Sequence, residues 1–396
     1  MTKAIFIPAV SEQFVNMWDR GLKYKGKDGK EYDMKFFTKN SHFEMDVVLQ
    51  SIYYVKNGSC KNKECNYKEL IKYPNDKILL TDSAGFQIAS FKRRGEVCDI
   101  TAIDSLRWQE EIADVAMNLD VPPNLDGNPS YEDFIKALNE SVENFKLFER
   151  ERKNYKMLLL NVLHGETLEY FSLWYNKVKV FKFDGWAIGI KPPFDPMLQA
   201  LGFLYLWEKG EFEKDNVKWL HFFGTSGKHV MPTFVYLATK LKKEIGFTFD
   251  SSSYNIGSIY RTYLMPFDFG PHLSFGDKFK THNPHLKELP CDCPVCHNIK
   301  SIDELNTTDI YAGTLISLHN LYQYKYFNDI LNTLVVDKEL FIDYIKKINI
   351  SERTLISIEF IDYCLEKGLE NGVQKYKEWF NTKEFTKAKQ SNIFSF

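Results

Sequence analysis

Leu79-Leu80-Thr81-Asp82-Ser83-Ala84-Gly85-Phe86-Gln87 joins a short buried strand to a tight turn. The two leucines and the threonine make the strand, and Ala84-Gly85 let the backbone approach a ligand closely. Asp82 stands where the strand ends. Phe86 offers a flat apolar face, and Gln87 an amide that donates and accepts. A carboxylate, a flat face and an amide within six residues suit the recognition of a planar base. The plainer alternative is a strand end whose aspartate caps the next helix. A second strand-end aspartate in Phe247-Thr248-Phe249-Asp250-Ser251, with a cysteine cluster soon after it, favours a site.

Outward from this stretch, short apolar runs alternate with helical ones. The runs are Ile78–Thr81, Val115–Asp120, Met157–Leu163, Trp186–Ile190, Trp219–Phe223 and Phe247–Asp250. Helical spacing covers 131–153, 168–179, 196–209 and 231–243. In the first of these, Phe134, Leu138, Val142, Phe145 and Phe148 make a one-sided apolar stripe. Strand–helix alternation predicts parallel strands with helices outside. Six or more such units favour a (β/α)8 barrel over a doubly wound sheet, and Ala4-Ile5-Phe6-Ile7-Pro8 reads as the first strand. Asp82, Asp120 and Asp250 each close an apolar run. In a barrel they share the C-terminal face, where active sites are built.

The 396 residues suffice for one large barrel-type domain with appendages. A formal charge of -2 means that contact with nucleic acid needs a local basic face rather than bulk charge. Lys92-Arg93-Arg94 and Arg261 are candidates for backbone contact, with a solvated charged loop as the even alternative for the first three. No apolar run of about 18 residues predicts a membrane span. The start is too short in apolar residues for a signal peptide, so the expected location is cytoplasmic. Lys23 to Lys35 reads as an exposed hairpin or loop.

Seven cysteines, an odd number, argue against a disulfide framework. Cys291, Cys293 and Cys296 form C-x-C-x-x-C. His319 is the preferred fourth ligand, with His297 its competitor. A closed Cys3His set predicts a structural zinc with no open position. Cys60 and Cys65 read as two free thiols rather than a second metal site.

These stretches together resemble the tRNA-guanine transglycosylases. Residues 82–87 resemble the family's Asp-Ser-Gly-Gly-Phe-Gln signature. Phe249-Asp250-Ser251, with Tyr254 following, resembles the archaeal nucleophile segment. Leu289-Pro290-Cys291-x-Cys293-x-x-Cys296 with His319-Asn320-Leu321 resembles the zinc site. Phe183-Asp184-Gly185-Trp186-Ala187-Ile188-Gly189 and Met117-Asn118-Leu119-Asp120 match two further strands of the family, in the same order. The resemblance implies a TIM barrel with an inserted zinc-binding subdomain, and a pentosyltransferase that exchanges guanine in a polynucleotide for a 7-deazaguanine. The expected division is a catalytic barrel over 1–275 with an N-terminal insertion around 20–75, a zinc subdomain over 276–330 and a C-terminal helical segment over 331–396.

The departures are specific. Ser252-Ser253-Tyr254-Asn255-Ile256-Gly257 replaces the bacterial Pro-Thr-Arg-Asn-Ala-Arg stretch, and His164-Gly165 stands for Gln-Gly. Gly189-Ile190-Lys191-Pro192-Pro193 stands for the Gly-Gly-Leu loop, and Ala84 for the signature's first glycine. The C-terminal part looks too short for the archaeal tRNA-binding modules. With the catalytic skeleton kept and the polynucleotide-reading parts altered, the chain looks most like the DNA-modifying, DpdA-type branch. That reading favours DNA over tRNA as substrate and 7-cyano-7-deazaguanine as the incoming base. A homodimer or accessory DNA-modification proteins would be further partners. In this scheme Asp250 is the nucleophile and Asp82 the general acid and base, while Phe86, Asp120, His164, Gly189 and Phe223 hold the base. A TIM-barrel glycosidase and a non-catalytic nucleic-acid-binding subunit are the competing classes.

Overall fold

The computed structural model describes residues 1–57, 67–123, 129–266, 273–275 and 288–380. Cys60 and Cys65 lie outside the described residues.

Eight parallel strands run β1 (Ala4–Pro8), β2 (Val47–Ser51), β3 (Ile78–Asp82), β4 (Val115–Met117), β5 (Leu158–His164), β6 (Gly185–Gly189), β7 (Trp219–Phe222) and β8 (Gly246–Ser251). They pair in chain order, and β8 returns to pair with β1. The remaining seam, between β1 and β2, is bridged where the Val10 N–H donates to the Leu49 carbonyl at 2.8 Å. The expected (β/α)8 barrel is therefore present. Along β8 the side chains alternate as a barrel strand requires. Phe247 and Phe249 pack among Phe222 and Phe234 on the helix side, while Thr248 and Asp250 turn inward.

Two details differ from the expectations. The segment around 20–75 is more than an insertion, because β2 lies inside it. First strand and six apolar runs make seven, and closure supplies the eighth from Val47-Val48-Leu49-Gln50-Ser51. The run ending at Asp120 stops being strand at Met117. The Asn118 side chain turns back to accept the Leu119 N–H at 2.8 Å, and the chain leaves the sheet there. Asp120 thus stands three residues past its strand, whereas Asp82 ends β3 and Asp250 is next to last in β8.

The expected hairpin is formed by Lys23–Lys25 and Glu31–Asp33. It lies against the cysteine loop, where the Lys27 N–H donates to the Asn298 carbonyl at 2.8 Å.

Two outer helices, Pro196–Glu208 and Met231–Ala238, are apolar nearly all round and buried on every side. Such helices need a second layer. The C-terminal helices Lys338–Lys347 and Glu352–Lys367 supply it. Thr233 and Ser357 share a hydrogen bond of 2.8 Å, and the Tyr236 hydroxyl donates to Asp362 at 2.7 Å. Arg353 Nε donates at 2.8 Å to the carboxylate of Asp195, a fully buried group that also caps the helix Pro196–Glu208. Among the described residues no helix is long and apolar enough to cross a membrane.

Candidate active site and metal centre

The C-terminal ends of the strands open into a cavity of about 350 Å³, within the range of small-molecule sites. Asp82, Asp120 and Asp250 line it together with Phe86, His164, Gly189, Lys191 and Phe223. All seven residues named from sequence for catalysis or base binding therefore border one space, and Lys191 joins them.

Asp82 is held by the turn that follows it. Its Oδ1 accepts the Ala84 N–H at 3.0 Å, and the Ser51 hydroxyl on the neighbouring strand also bonds to the carboxylate. Register places Ser51 and Asp82 side by side across β2 and β3. Burial raises the Asp82 carboxyl to about 7, against the two hydrogen bonds, with the charges of Asp250 and Asp120 adding to the rise. Such a group is present in both protonation states near neutrality. Ala84 takes φ 63 and ψ 18, left-handed backbone that a Cβ disfavours. The next residue must be glycine for another reason. A Cβ on Gly85 would stand 2.3 Å from the Asp120 carbonyl oxygen.

Asp120 and His164 form a pair. His164 Nε2 is 2.7 Å from Asp120 Oδ2, and its Nδ1 is 2.6 Å from the Gly189 carbonyl. Both ring nitrogens thus face acceptors, and the imidazole is spent inside the protein. It orients Asp120 rather than presenting a free edge to a base. Gly189 is bare because a Cβ there would lie 2.4 Å from the His164 ring.

Asp250 Oδ1 accepts two hydrogen bonds, from the Gly224 N–H at 2.7 Å and from His221 Nε2 at 3.2 Å. Its Oδ2 has no partner among the described residues. Sequence reading passed over His221 and Gly224. The signal was there, because His221 sits in the run Trp219–Phe223 at an inward position beside β8.

Phe86 is half exposed at the rim. The Lys191 amine lies 5.4 Å from the centre of its ring, a cation–π distance, and forms no ion pair among the described residues. Burial lowers its basicity, and the charge of Asp250 opposes that.

Two of the basic candidates are engaged in ion pairs on the surface, and Arg261 is half-buried. Lys92 pairs with Glu140 at 3.0 Å, and Arg94 with Glu96 at 3.0 Å. Arg93 ends the same helix, Gly85–Arg93. Arg261 turns towards the Asp309 carbonyl. Exposed pairs of this kind are weak enough to exchange for phosphate.

The second centre lies beside the segment that follows β8. The ligand atoms of Cys291, Cys293, Cys296 and His319 all fall within 4.8 Å of one another. His319 Nε2 donates to the Leu264 carbonyl at 2.8 Å, which leaves Nδ1 bare and facing Cys296 Sγ at 3.2 Å. Three thiols and one imidazole at this spacing suit a tetrahedral zinc ion of structural type. His297 points elsewhere, with Nδ1 3.2 Å from Asp292. Tyr263 stacks on His319 with centroids 3.6 Å apart and approaches Cys296 Sγ through its hydroxyl at 3.1 Å. Asn320, next to the ligand, donates to the Thr262 carbonyl at 2.9 Å and accepts the Leu264 N–H at 2.9 Å. Ser317 donates to Asn255 at 2.8 Å. These bonds fasten the short helix Ser253–Ile259, which follows Asp250, to the helix Ile310–Leu334, which carries His319.

No family model matches the chain. It is similar to a protein named tRNA-guanine(15) transglycosylase of Methanocaldococcus jannaschii, 26% identical over 258 residues. It is also similar to proteins of the same name from Methanococcus maripaludis, 26% identical over 262 residues, and Methanococcus vannielii, 27% over 254. These matches take in 62%, 64% and 62% of this chain and 35%, 36% and 35% of the relatives' own length.

Proposed function

We propose that the chain is a guanine transglycosylase of the superfamily to which these archaeal proteins belong, and that its polynucleotide is tRNA. The observation that carries the chemistry is the convergence of Asp82, Asp120 and Asp250 on one cavity, with Asp82 poised near neutrality. The relatives carry the choice of tRNA. The sequence departures favour DNA, but the similarity runs to proteins named tRNA-guanine(15) transglycosylase, and this outweighs the departures.

In the proposed cycle the target guanine enters the cavity and stacks on Phe86. Unstacking it costs a few kcal/mol. Asp120, held by His164, accepts hydrogen bonds from N1–H and the exocyclic amine. Adenine lacks that donor pair and would leave a buried carboxylate unmatched. Asp250 Oδ2 attacks C1′, and the C1′–N9 bond breaks with its electron pair going to the base, which takes a proton from Asp82. The incoming base then gives its N9 proton to Asp82. Its N9 attacks C1′, and the Asp250 carboxylate departs with its electron pair. The incoming base is a 7-deazaguanine such as 7-cyano-7-deazaguanine. Gly189 and Phe223 border the base, and Lys92, Arg93, Arg94 and Arg261 are the candidates for phosphate contact. The cysteine centre, when loaded with zinc, holds structure and takes no part in these steps.

The test is exchange of labelled guanine or 7-cyano-7-deazaguanine into a tRNA pool and, in parallel, into duplex DNA, with Asp250→Asn as control. Incorporation into tRNA that the control lacks is the expected result. Incorporation only into DNA would overturn the choice of tRNA. Incorporation into neither by a zinc-loaded protein would overturn the catalytic reading in favour of a binding subunit.

A further inference from the structure

His221 is completely buried, points into the barrel and has no part in the cycle above. We propose that Trp219, Thr248 and His221 form a directed hydrogen-bond relay that clamps one oxygen of Asp250, making His221 the positioning residue for the carboxylate as attacking and leaving group. The proposal rests on the reading of Asp250 as nucleophile.

Donor and acceptor chemistry fixes the direction of the relay. The Trp219 indole N–H can only donate, and it lies 2.9 Å from Thr248 Oγ1. That hydroxyl lies 2.9 Å from His221 Nδ1. If the threonine hydrogen goes to Nδ1, the ring proton sits on Nε2 and is donated to Asp250 Oδ1 at 3.2 Å. The reverse assignment would set a bare Nε2 lone pair against a carboxylate at a fully buried ring, where unmatched acceptors are costly. The relay therefore runs from Trp219 through Thr248 and His221 to Asp250. The Gly224 N–H adds a second donor, at 2.7 Å, to the same oxygen.

The two oxygens of Asp250 are thereby made different. Oδ1 is clamped, and Oδ2 is left for C1′. When Oδ2 bonds to C1′ and the guanine leaves, Asp250 becomes an ester and its charge is lost. The clamp then bonds to an ester carbonyl, a poorer acceptor. When the incoming base displaces Oδ2, the charge returns and the bonds from His221 and Gly224 become charge-assisted again. The clamp favours the second half of the exchange over the first. A residue that only filled space would favour neither.

The experiment follows the two halves separately in the full-length, zinc-loaded protein. The adduct between protein and tRNA is trapped by denaturing quench without incoming base, then chased with guanine. His221→Leu is expected to form adduct within about tenfold of the wild-type rate, whereas breakdown on chase slows by about 10- to 100-fold, the scale of a lost charge-assisted bond. Adduct then accumulates at steady state. His221→Gln, whose amide can donate from a similar position, should recover most of the breakdown rate. Thr248→Val, nearly the same shape, should act in the same direction but less, and it keeps the test alive if His221→Leu does not fold. Unchanged breakdown in His221→Leu or Thr248→Val overturns the relay. So does equal slowing of both halves with a matching fall in melting temperature. A wild-type protein that forms no adduct overturns the reading of Asp250 itself.

Discussion

The mouth of the barrel and the cysteine centre lie on the two sides of one segment, Gly246 to Leu264, yet they treat their polar groups in opposite ways. At the cysteine centre the groups are matched. His319 uses Nε2 on a carbonyl and turns Nδ1 to the thiols, and Asn320 donates and accepts within the same loop. At the mouth, Asp82 is pushed up to about 7, Ala84 stands in left-handed backbone, Lys191 is half-buried, and neither an ion pair to Lys191 nor a partner for Asp250 Oδ2 is found among the described residues. One region holds its shape. The other keeps groups ready for a substrate to satisfy, as functional sites commonly do.

Exchanging a residue in each region tests the contrast most severely. Asp250→Asn is expected to lower exchange by on the order of 10⁴-fold, as for loss of a covalent nucleophile, with a melting temperature unchanged or raised. Cys296→Ser should do the reverse, releasing zinc and lowering stability by several kcal/mol, because metal affinity is folding free energy at such centres. Metal analysis and thermal unfolding on the two proteins check this. A large stability loss in Asp250→Asn would erase the distinction.

Gly85→Ala probes how tightly the mouth is drawn. Its Cβ would meet the Asp120 carbonyl at 2.3 Å, so the loop bearing Asp120 must move. A weaker KM for the incoming base, by about 10- to 100-fold, is expected, since about 1 Å of misplacement at a site can cost that much. An unchanged KM would mean that Asp120 does not read the base.

The pH dependence sharpens the same contrast. In the proposed cycle Asp82 is protonated when guanine is released and ionised when it accepts the incoming proton. Adduct formation should fall as pH rises through about 7, and adduct breakdown should fall as pH drops through the same value. The folded-state value lies above the unfolded one. Its stabilising contribution is therefore full below about pH 4 and lost as pH rises through about 7. Asp82→Asn should remove both the kinetic crossover and that share of the stability profile.

How much of this was legible in the sequence depended on periodicity. Apolar runs ending in aspartate showed the barrel and its open face, and the C-x-C-x-x-C spacing with His319 showed a cluster that could hold a metal ion. β2 was not seen, because Val47–Ser51 is five residues long within a segment rich in charge and turns, and only the need for eight strands points to it. The ends of Asp120's run and of the helix Met231–Ala238 were overextended, since local side-chain bonds such as that of Asn118 end an element without altering its hydrophobic pattern. His164 was readable as a site residue, but not that both its nitrogens are consumed by Asp120 and Gly189. His221 looked like part of a strand, because an inward polar residue gains its meaning from the neighbouring strand rather than from its own.

The smallest expected effect lies at Ala84. Ala84→Gly should stabilise the protein by roughly 0.5–1 kcal/mol, because the left-handed conformation costs an L side chain about 1–2 kcal/mol and glycine returns part of that in backbone freedom. Denaturant unfolding measures it. A loss of stability would show that the Ala84 methyl packs well enough to outweigh its backbone.

The ion pair between Arg353 and Asp195 sets the limits of the protein as a part. Asp195 is fully buried, begins an outer helix of the barrel, and follows directly on the loop that carries Lys191. A barrel cut out at its last strand would leave that carboxylate charged and unpaired, at a cost of about 3–5 kcal/mol, and would expose two helices that have no polar face. The smallest piece that can be transplanted, fused or trimmed is thus longer than the barrel, and it reaches at least through the helix that ends at Lys367.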